Sequence, residues 1–293
     1  MTQPKRRWGD RIDGWLVRDN DPMHFFVPYL YPNRADSEAV VVEQVDLTAL
    51  EAYLGKKNEG RPKDDHYTLM HAVAAALVRT LTLRPKMNYF IKGNRIYHRN
   101  HISLAFVVKK KFADNGAEAL AYRKFGPETT IDTLHRMIVE EIQNCRSDAL
   151  DNSTAGMEMF THLPRWLMRI VIHILFFLDY YGKVPQSLVK TDPNYASVLI
   201  SNLGSIKLSA NYHHLSNWGT NSVFVIIGRK HMAPVFNEDG SYEMRRVVDL
   251  SVTLDERIAD GYYYSKSIAL FKHLLQHPEL LEERADKEVE YKL

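Results

Sequence analysis

The side chains best able to do chemistry in this 293-residue chain are its 13 histidines, three pairs of which stand close in sequence: His66 and His71, His98 and His101, and the adjacent His213 and His214. A metal ion needs three or four convergent ligands, and none of these pairs stands with carboxylates at a spacing that would close around one ion, so no metal site is expected. The one cysteine, Cys145, excludes an internal disulfide and a cysteine-rich metal centre. It fits a reducing compartment, and a cytoplasmic protein is the default expectation. An imidazole with a pKa of about 6.5 is a natural proton acceptor at neutral pH, which keeps His213 and His214 of YHHLSNWG as possible bases. Their structural reading is one exposed and one buried, hydrogen-bonded ring. Glu256, followed by Arg257, reads in the same way as a surface ion pair. Ser201 before Asn-Leu-Gly reads as a strand ending in a turn. The phosphate loop GxxxxGK[ST], GxGxxG, HExxH and GxSxG are all missing, which removes several large enzyme classes.

The elements that must position these groups come from a chain of globular composition, 45% hydrophobic, 11% aromatic and 25% charged. Lys and Arg number 38 against 36 Asp and Glu, so a net charge of +2 gives no general case for binding nucleic acid. The basic N-terminus runs into Asp10, Asp13 and Asp19 rather than an apolar run, unlike a signal peptide. The most apolar stretch, Leu167 to Leu178, would rise about 18 Å as a helix against about 30 Å of hydrocarbon, too short to span a membrane. Arg165, Arg169 and His173 recur every four residues, opposite Trp166, Ile170, Val171, Ile174, Leu175 and Phe177. That pattern predicts an amphipathic helix buried against the core or a partner subunit. The second reading is contact of residues 165–178 with a membrane surface.

An extended, proline-containing segment (FFVPYLYPNR) precedes a strand over Ala39 to Val45 and a helix over Asp46 to Leu54. The 3.6-residue period predicts a helix over Tyr67 to Leu83, stopped by Pro85. Strands are expected over Arg95 to His98 and His101 to Val108, then a charged turn-forming stretch, then a helix over Ile131 to Asn144. The C-terminal third reads as strands over Ala196 to Ser201, Ser222 to Ile227, Tyr242 to Val248 and Val248 to Leu254, and a last helix over Ser265 to Gln276 before Pro278. The trio Tyr262, Tyr263 and Tyr264 should cap the core where that helix begins. Strands and helices interleave irregularly, which gives an α/β class with mixed strand order.

Three runs in the C-terminal third carry a resemblance: SNLGS (Ser201 to Ser205), VFVIIGR (Val223 to Arg229) and VTLDERIADG (Val252 to Gly261), the last leading into the final helix and its HPELLEE end. In that order they resemble the catalytic domain of the dihydrolipoyl acyltransferase component of 2-oxo acid dehydrogenase complexes, and more distantly chloramphenicol acetyltransferase. VEQVDLTALEAY, RPKMN and IYHRNHISLAFVV look like that family's upstream elements, while about 116–194 matches poorly. The resemblance implies a chloramphenicol acetyltransferase-like two-layer α/β sandwich with a mixed sheet, occupying residues 39–283. An N-terminal extended segment (1–38), an inserted apolar helix near 163–180 and a charged tail (284–293) would complete a free-standing core with no lipoyl domain of its own. It further implies a homotrimer, or a multiple of trimers, with the channel between subunits. Coenzyme A would be the substrate, no metal would be needed, and a lipoyl-bearing protein could serve in trans.

In that family a His-x-x-x-Asp-Gly motif supplies the base that takes the acceptor's proton, and a strand hydroxyl stabilises the oxyanion. Carried across, the hydroxyl is Ser201, the structural and ion-paired Asp is Asp260, and Gly261 permits a tight backbone. The histidine's position holds Glu256. A free glutamate has a pKa of about 4.3, about two units below histidine, so as a base toward a thiol it is weaker by about 3 kcal/mol unless burial raises it. Three readings stand open: Glu256 is the base, His213 or His214 reaches the site, or the chemistry is lost and the fold serves assembly or binding. The residues that hold coenzyme A are not readable from sequence.

Overall fold

A computed structural model describes residues 5–109, 118–146 and 162–292. Most of the elements predicted from periodicity are present. A nine-residue strand β2 (Glu38–Asp46) is followed by helices α2 (Thr48–Lys57) and α3 (Leu69–Leu83). Strands β3 (Tyr89–Lys92), β4 (Arg95–Arg99), β5 (Ile102–Lys109) and β6 (Glu118–Phe125) lead to helix α4 (Ile131–Arg146). After α5 (Arg165–Tyr180) and α6 (Gln186–Thr191) come strands β7 (Val198–Asn202), β8 (Val223–Phe236) and β9 (Tyr242–Asp255), and then helix α7 (Gly261–Gln276).

The main sheet has the order β2-β9-β8-β7-β5-β6. Its strand β7 runs parallel to both β5 and β8 and every other pairing is antiparallel, so the sheet is mixed as expected. Helices supply the second layer. Ala72, Val73, Leu77 and Leu81 of α3, Leu134 and Ile138 of α4 and Leu270, Phe271 and Leu274 of α7 join one sheet face in a single buried core. Strand alternation puts Val198, Ile200, Val223, Val225 and Ile227 on that face. Leu199, Phe224 and Ile226 fall on the other, where Leu203, Ala210 and Leu215 cover them.

Several expectations need correction. The segment before β2 is not extended throughout: β1 (Gly14–Leu16) pairs with β4 in a small sheet β1-β4-β3, and Pro22–Leu30 is a helix, α1. The Asp21 carboxylate caps it by accepting from the His24 N–H at 3.1 Å, and Pro22 suits its first turn because it has no N–H to leave unpaired. The two strands expected around Val248 are one strand, β9, since its long antiparallel pairing with β8 overrides the charged Asp249 in mid-run. Of the charged stretch after Val108, residues 110–117 lie outside the described residues, and Glu118–Phe125 is a strand rather than a turn.

The apolar helix α5 is not buried against the core. Leu167, Val171, Leu175 and Leu178 turn inward, while Trp166, Ile170, Ile174 and Phe177 are exposed. It is held at its C-terminal end by Asp179, which is fully buried. The Asp179 carboxylate pairs with Lys92 and Arg11 and accepts from the Tyr195 hydroxyl at 2.8 Å and the Gly219 N–H at 3.3 Å, and Arg11 also donates to its backbone carbonyl at 2.5 Å. Arg11 in turn pairs with Asp13 at 2.9 Å. The N-terminal segment is thus sewn to α5 and the small sheet by buried charges. No helix among the described residues is long and apolar enough to cross a membrane.

Candidate active site

Ser201 stands near the C-terminal end of β7, half-buried, on the sheet face that carries Leu199 rather than the helical layer. The chain then turns through SNLGS in a way that needs glycine. A Cβ on Gly204 would lie 2.4 Å from the Gly228 carbonyl oxygen, and one on Gly228 would lie 2.5 Å from the Ala210 nitrogen. The two loops therefore meet backbone to backbone, where the β8–β9 register slips between Ile227 and Lys230. Beside this crossing opens a cavity of about 850 Å³, whose walls include Asn202, Ser205, Lys207, Arg229 and Lys230. Lys230 is paired with Glu51 at 2.6 Å, and the other two cations make no ion pair among the described residues. Sequence reading missed this cationic rim, although the Gly-Arg-Lys run that ends the β-branched stretch of β8 carried the signal.

Glu256 opens the short turn Glu256–Ile258 after β9 and is exposed. It does not pair with Arg257, as the sequence had suggested. Arg257 is buried and its guanidinium grips Asp255 at 2.7 and 2.8 Å. The last strand residue faces inward and the next faces out, so the arginine reaches back past its neighbour. Asp255 is also 3.5 Å from Arg34, and Arg257 donates to the Tyr31 carbonyl at 2.7 Å, which ties the turn to the segment after α1.

Asp260 is not ion-paired among the described residues. It is the N-cap of α7, its carboxylate accepting from the Tyr263 N–H at 2.9 Å. That bond holds its pKa below the usual carboxylate range. Asp260→Ala should cost about 1 kcal/mol, a typical loss for a cap, measured by urea unfolding at pH 7. Because the folded pKa is the lower one, this contribution is present above about pH 3.9 and disappears as pH falls through the folded value. Gly261 is the first residue of α7, and a Cβ there would meet nothing, so it does not supply the close backbone expected of it. In the trio after it, Tyr264 is buried and donates to the Asp255 carbonyl at 2.7 Å, whereas Tyr262 is exposed.

The register sets how far these groups lie apart. Ser201 is opposite Ile226, Ile226 is opposite Ser251, and Glu256 lies five positions beyond Ser251. At about 3.3 Å per residue and 4.8 Å per strand, Ser201 and Glu256 of one chain are about 19 Å apart. His213 is placed differently. Its ring packs on Phe224 at 4.4 Å, and Phe224 pairs with Leu199, two positions before Ser201 on the same face. The Cα atoms of Phe224 and Ser201 are by the same arithmetic about 8 Å apart. His213 and His214 are both exposed, their rings perpendicular at 5.3 Å, which differs from the expected exposed and buried pair. Partial burial, with His214 beside it, lowers the His213 pKa against the opposing pull of Glu38. Glu38 anchors the loop by accepting from the Tyr212 hydroxyl and the Leu215 N–H. Among the described residues no group of three or more His, Cys, Asp or Glu side chains is placed to hold a metal ion.

Residues 186–282, which span β7, β8, β9 and α7, match the family described as 2-oxoacid dehydrogenases acyltransferase (catalytic domain). The chain has the fold of that catalytic domain. Among solved structures it is similar to a probable dihydrolipoamide acetyltransferase from Listeria monocytogenes, at 17% identity over 89% of this chain and 94% of that one, with a TM-score of 0.57. The dihydrolipoamide acetyltransferase of Azotobacter vinelandii gives 16% identity, 90% and 94% coverage and a TM-score of 0.59. Work on that enzyme concerns a serine, a histidine and an asparagine in its catalytic mechanism, the asparagine four positions after the histidine. A truncated catalytic core of the 2-oxoacid dehydrogenase multienzyme complex from Thermoplasma acidophilum gives 14% identity, 90% and 98% coverage and a TM-score of 0.56. No curated protein matches the chain. The acyltransferase fold accounts for the two-layer sandwich and for the order of the SNLGS, GR and Asp-Gly segments; at these identities it does not carry the relatives' catalytic residues onto Ser201, Glu256 or the histidine pair.

Proposed function

We propose that this chain transfers an acyl group between coenzyme A and a thiol or other small acceptor, with Ser201 as oxyanion donor and His213 as base. The observation that carries this reading is the position of His213 on the Ser201 face of the sheet, where Glu256 of the same chain cannot reach. The acceptor thiol gives its proton to the neutral imidazole as its sulfur attacks the acyl carbonyl. The carbonyl oxygen becomes an oxyanion that accepts a hydrogen bond from the serine hydroxyl. Collapse breaks the bond from carbon to the coenzyme A sulfur, and the imidazolium returns the proton to that departing thiolate. The cavity rimmed by Lys207 and Arg229 offers charge for the coenzyme's phosphates. A lipoyl-bearing protein acting in trans would supply one such acceptor thiol.

A second reading places the base in a neighbouring subunit. It is supported by the four-residue step from Glu256 to Asp260, the same step as between the histidine and asparagine of the Azotobacter enzyme. The exposed Met23, Phe25, Phe26, Tyr29 and Leu30 of α1, close to the Glu256 turn, offer an apolar surface for a trimer mate.

Coenzyme A release from acetyl coenzyme A with dihydrolipoamide decides between them. If His213 is the base, the acidic limb of the rate profile falls below about pH 6.5, because its pKa is lowered, and His213→Asn abolishes it. If Glu256 acts from a neighbour, Glu256→Gln is the inactive variant, and mixing it with Ser201→Ala subunits restores part of the activity. An inactive wild type whose melting point coenzyme A does not raise, where saturation at 100 times Kd should add about 2.7 kcal/mol, would replace both readings with an assembly role.

A further inference from the structure

On the inner side of α5, Leu167, Val171, Leu175 and Leu178 are half-buried and Asp179 is fully buried. Trp166, Ile170, Ile174 and Phe177 stand outward, each at least 49% exposed, along about three turns of one helix. Their orientation is fixed, because the ties from Asp179 to Arg11, Lys92 and Tyr195 pin the helix about its own axis. The charge around them has one sign. From His162 to Lys183 every exposed charged or imidazole side chain is basic: His162, Arg165, Arg169, His173 and Lys183. The only carboxylate of the stretch, Asp179, is buried. In a chain whose net charge is only +2, this is a local segregation rather than general basicity.

We propose that the outward face of α5 docks on the surface of an anionic lipid bilayer. Trp166, Ile170, Ile174 and Phe177 enter the boundary between headgroups and acyl chains, while Arg165 and Arg169 meet lipid phosphates. An exposed helix face with bulky apolar residues beside a stripe of cations, and too short to span, is what an interface between water and an anionic lipid layer selects. Parallel pairing of this strip with a second copy of itself would set arginines against arginines. The inference rests on α5 and not on the acyl transfer, so either can fail without the other.

The test uses the full chain and sedimentation with vesicles of phosphatidylcholine alone or with about 30 mol % phosphatidylglycerol. Binding is expected to the anionic vesicles only, with a blue shift of Trp fluorescence that Trp166→Phe removes. Arg165→Glu with Arg169→Glu should weaken binding by about tenfold or more, as should raising salt to about 0.5 M. Ile170→Ser with Phe177→Ser should abolish it; all of these positions are exposed, and unchanged melting temperatures would show that the fold is kept. No binding, or equal salt-insensitive binding to both vesicle types, overturns the proposal. So does loss of the oligomer in Ile170→Ser with Phe177→Ser without vesicle binding in the wild type, which would make α5 a contact between copies.

Discussion

Ser201→Ala is expected to lower kcat for acetyl transfer by about a hundredfold to a thousandfold, or about 2.7–4 kcal/mol, with KM for coenzyme A nearly unchanged. A hydroxyl at the end of β7 helps little while the acyl carbonyl is neutral and helps most when its oxygen carries charge, so its removal shows in turnover rather than in binding. The residue is half-buried beside a turn whose shape is set by the backbone contact between Gly204 and Gly228, so the alanine variant should melt near the wild type. The measurement is steady-state coenzyme A release at saturating dihydrolipoamide, with melting followed by circular dichroism. Ser201→Thr should retain a measurable part of the activity, because it keeps the donor. An alanine variant with wild-type kcat would remove Ser201 from the chemistry and leave the cavity beside it as a binding feature only.

The largest stability effect is expected at Asp179. Its carboxylate is the shared partner of Lys92 and Arg11 and of the Tyr195 hydroxyl, all on different segments, and it is wholly shielded from water. Asp179→Leu should destabilise the fold by about 3–5 kcal/mol, because breaking one side of a buried pair leaves an uncompensated buried charge. Urea unfolding at pH 7 reads it directly. The cause can be separated from simple misfit: Lys92→Met should cost less in the Asp179→Leu background than in the wild type, since the second substitution removes the stranded cation. Additive losses in the double variant would mean that the pair contributes no coupling and that packing alone is at stake. The same substitution should loosen α5, whose C-terminal turn depends on that carboxylate.

These two residues differ in how far they could be read beforehand. The three ordered runs containing Ser201, Gly228 and Asp260 carry the resemblance that implies the acyltransferase fold, and in the structure they fall at a glycine crossing, a register slip and a helix cap. Asp179 stood out only as one acid in an apolar run. Its four partners come from residues 11, 92, 195 and 219, and no local period predicts such a meeting. The helix α1 was obscured for a related reason. Two prolines and several aromatics outweighed the local Asp21–Pro22 start signal, which the capping bond to His24 decides.

Whatever depends on neighbours along the chain is legible in the residues: the strand and helix periods of β2, α3, α4 and α7, the α/β class, and the mixed order carried by the family-like runs. Only the tertiary structure decided which apolar residues of α5 face inward, since they cover more than half of the helix and a tie at Asp179 chooses the rotation. It also turned Arg257 toward Asp255 rather than Glu256. Above all, pairing of β7, β8 and β9 set Ser201 about 19 Å from Glu256 and brought His213 to its own face of the sheet. Distances across a sheet are fixed by register, and register is a property of strands far apart in sequence.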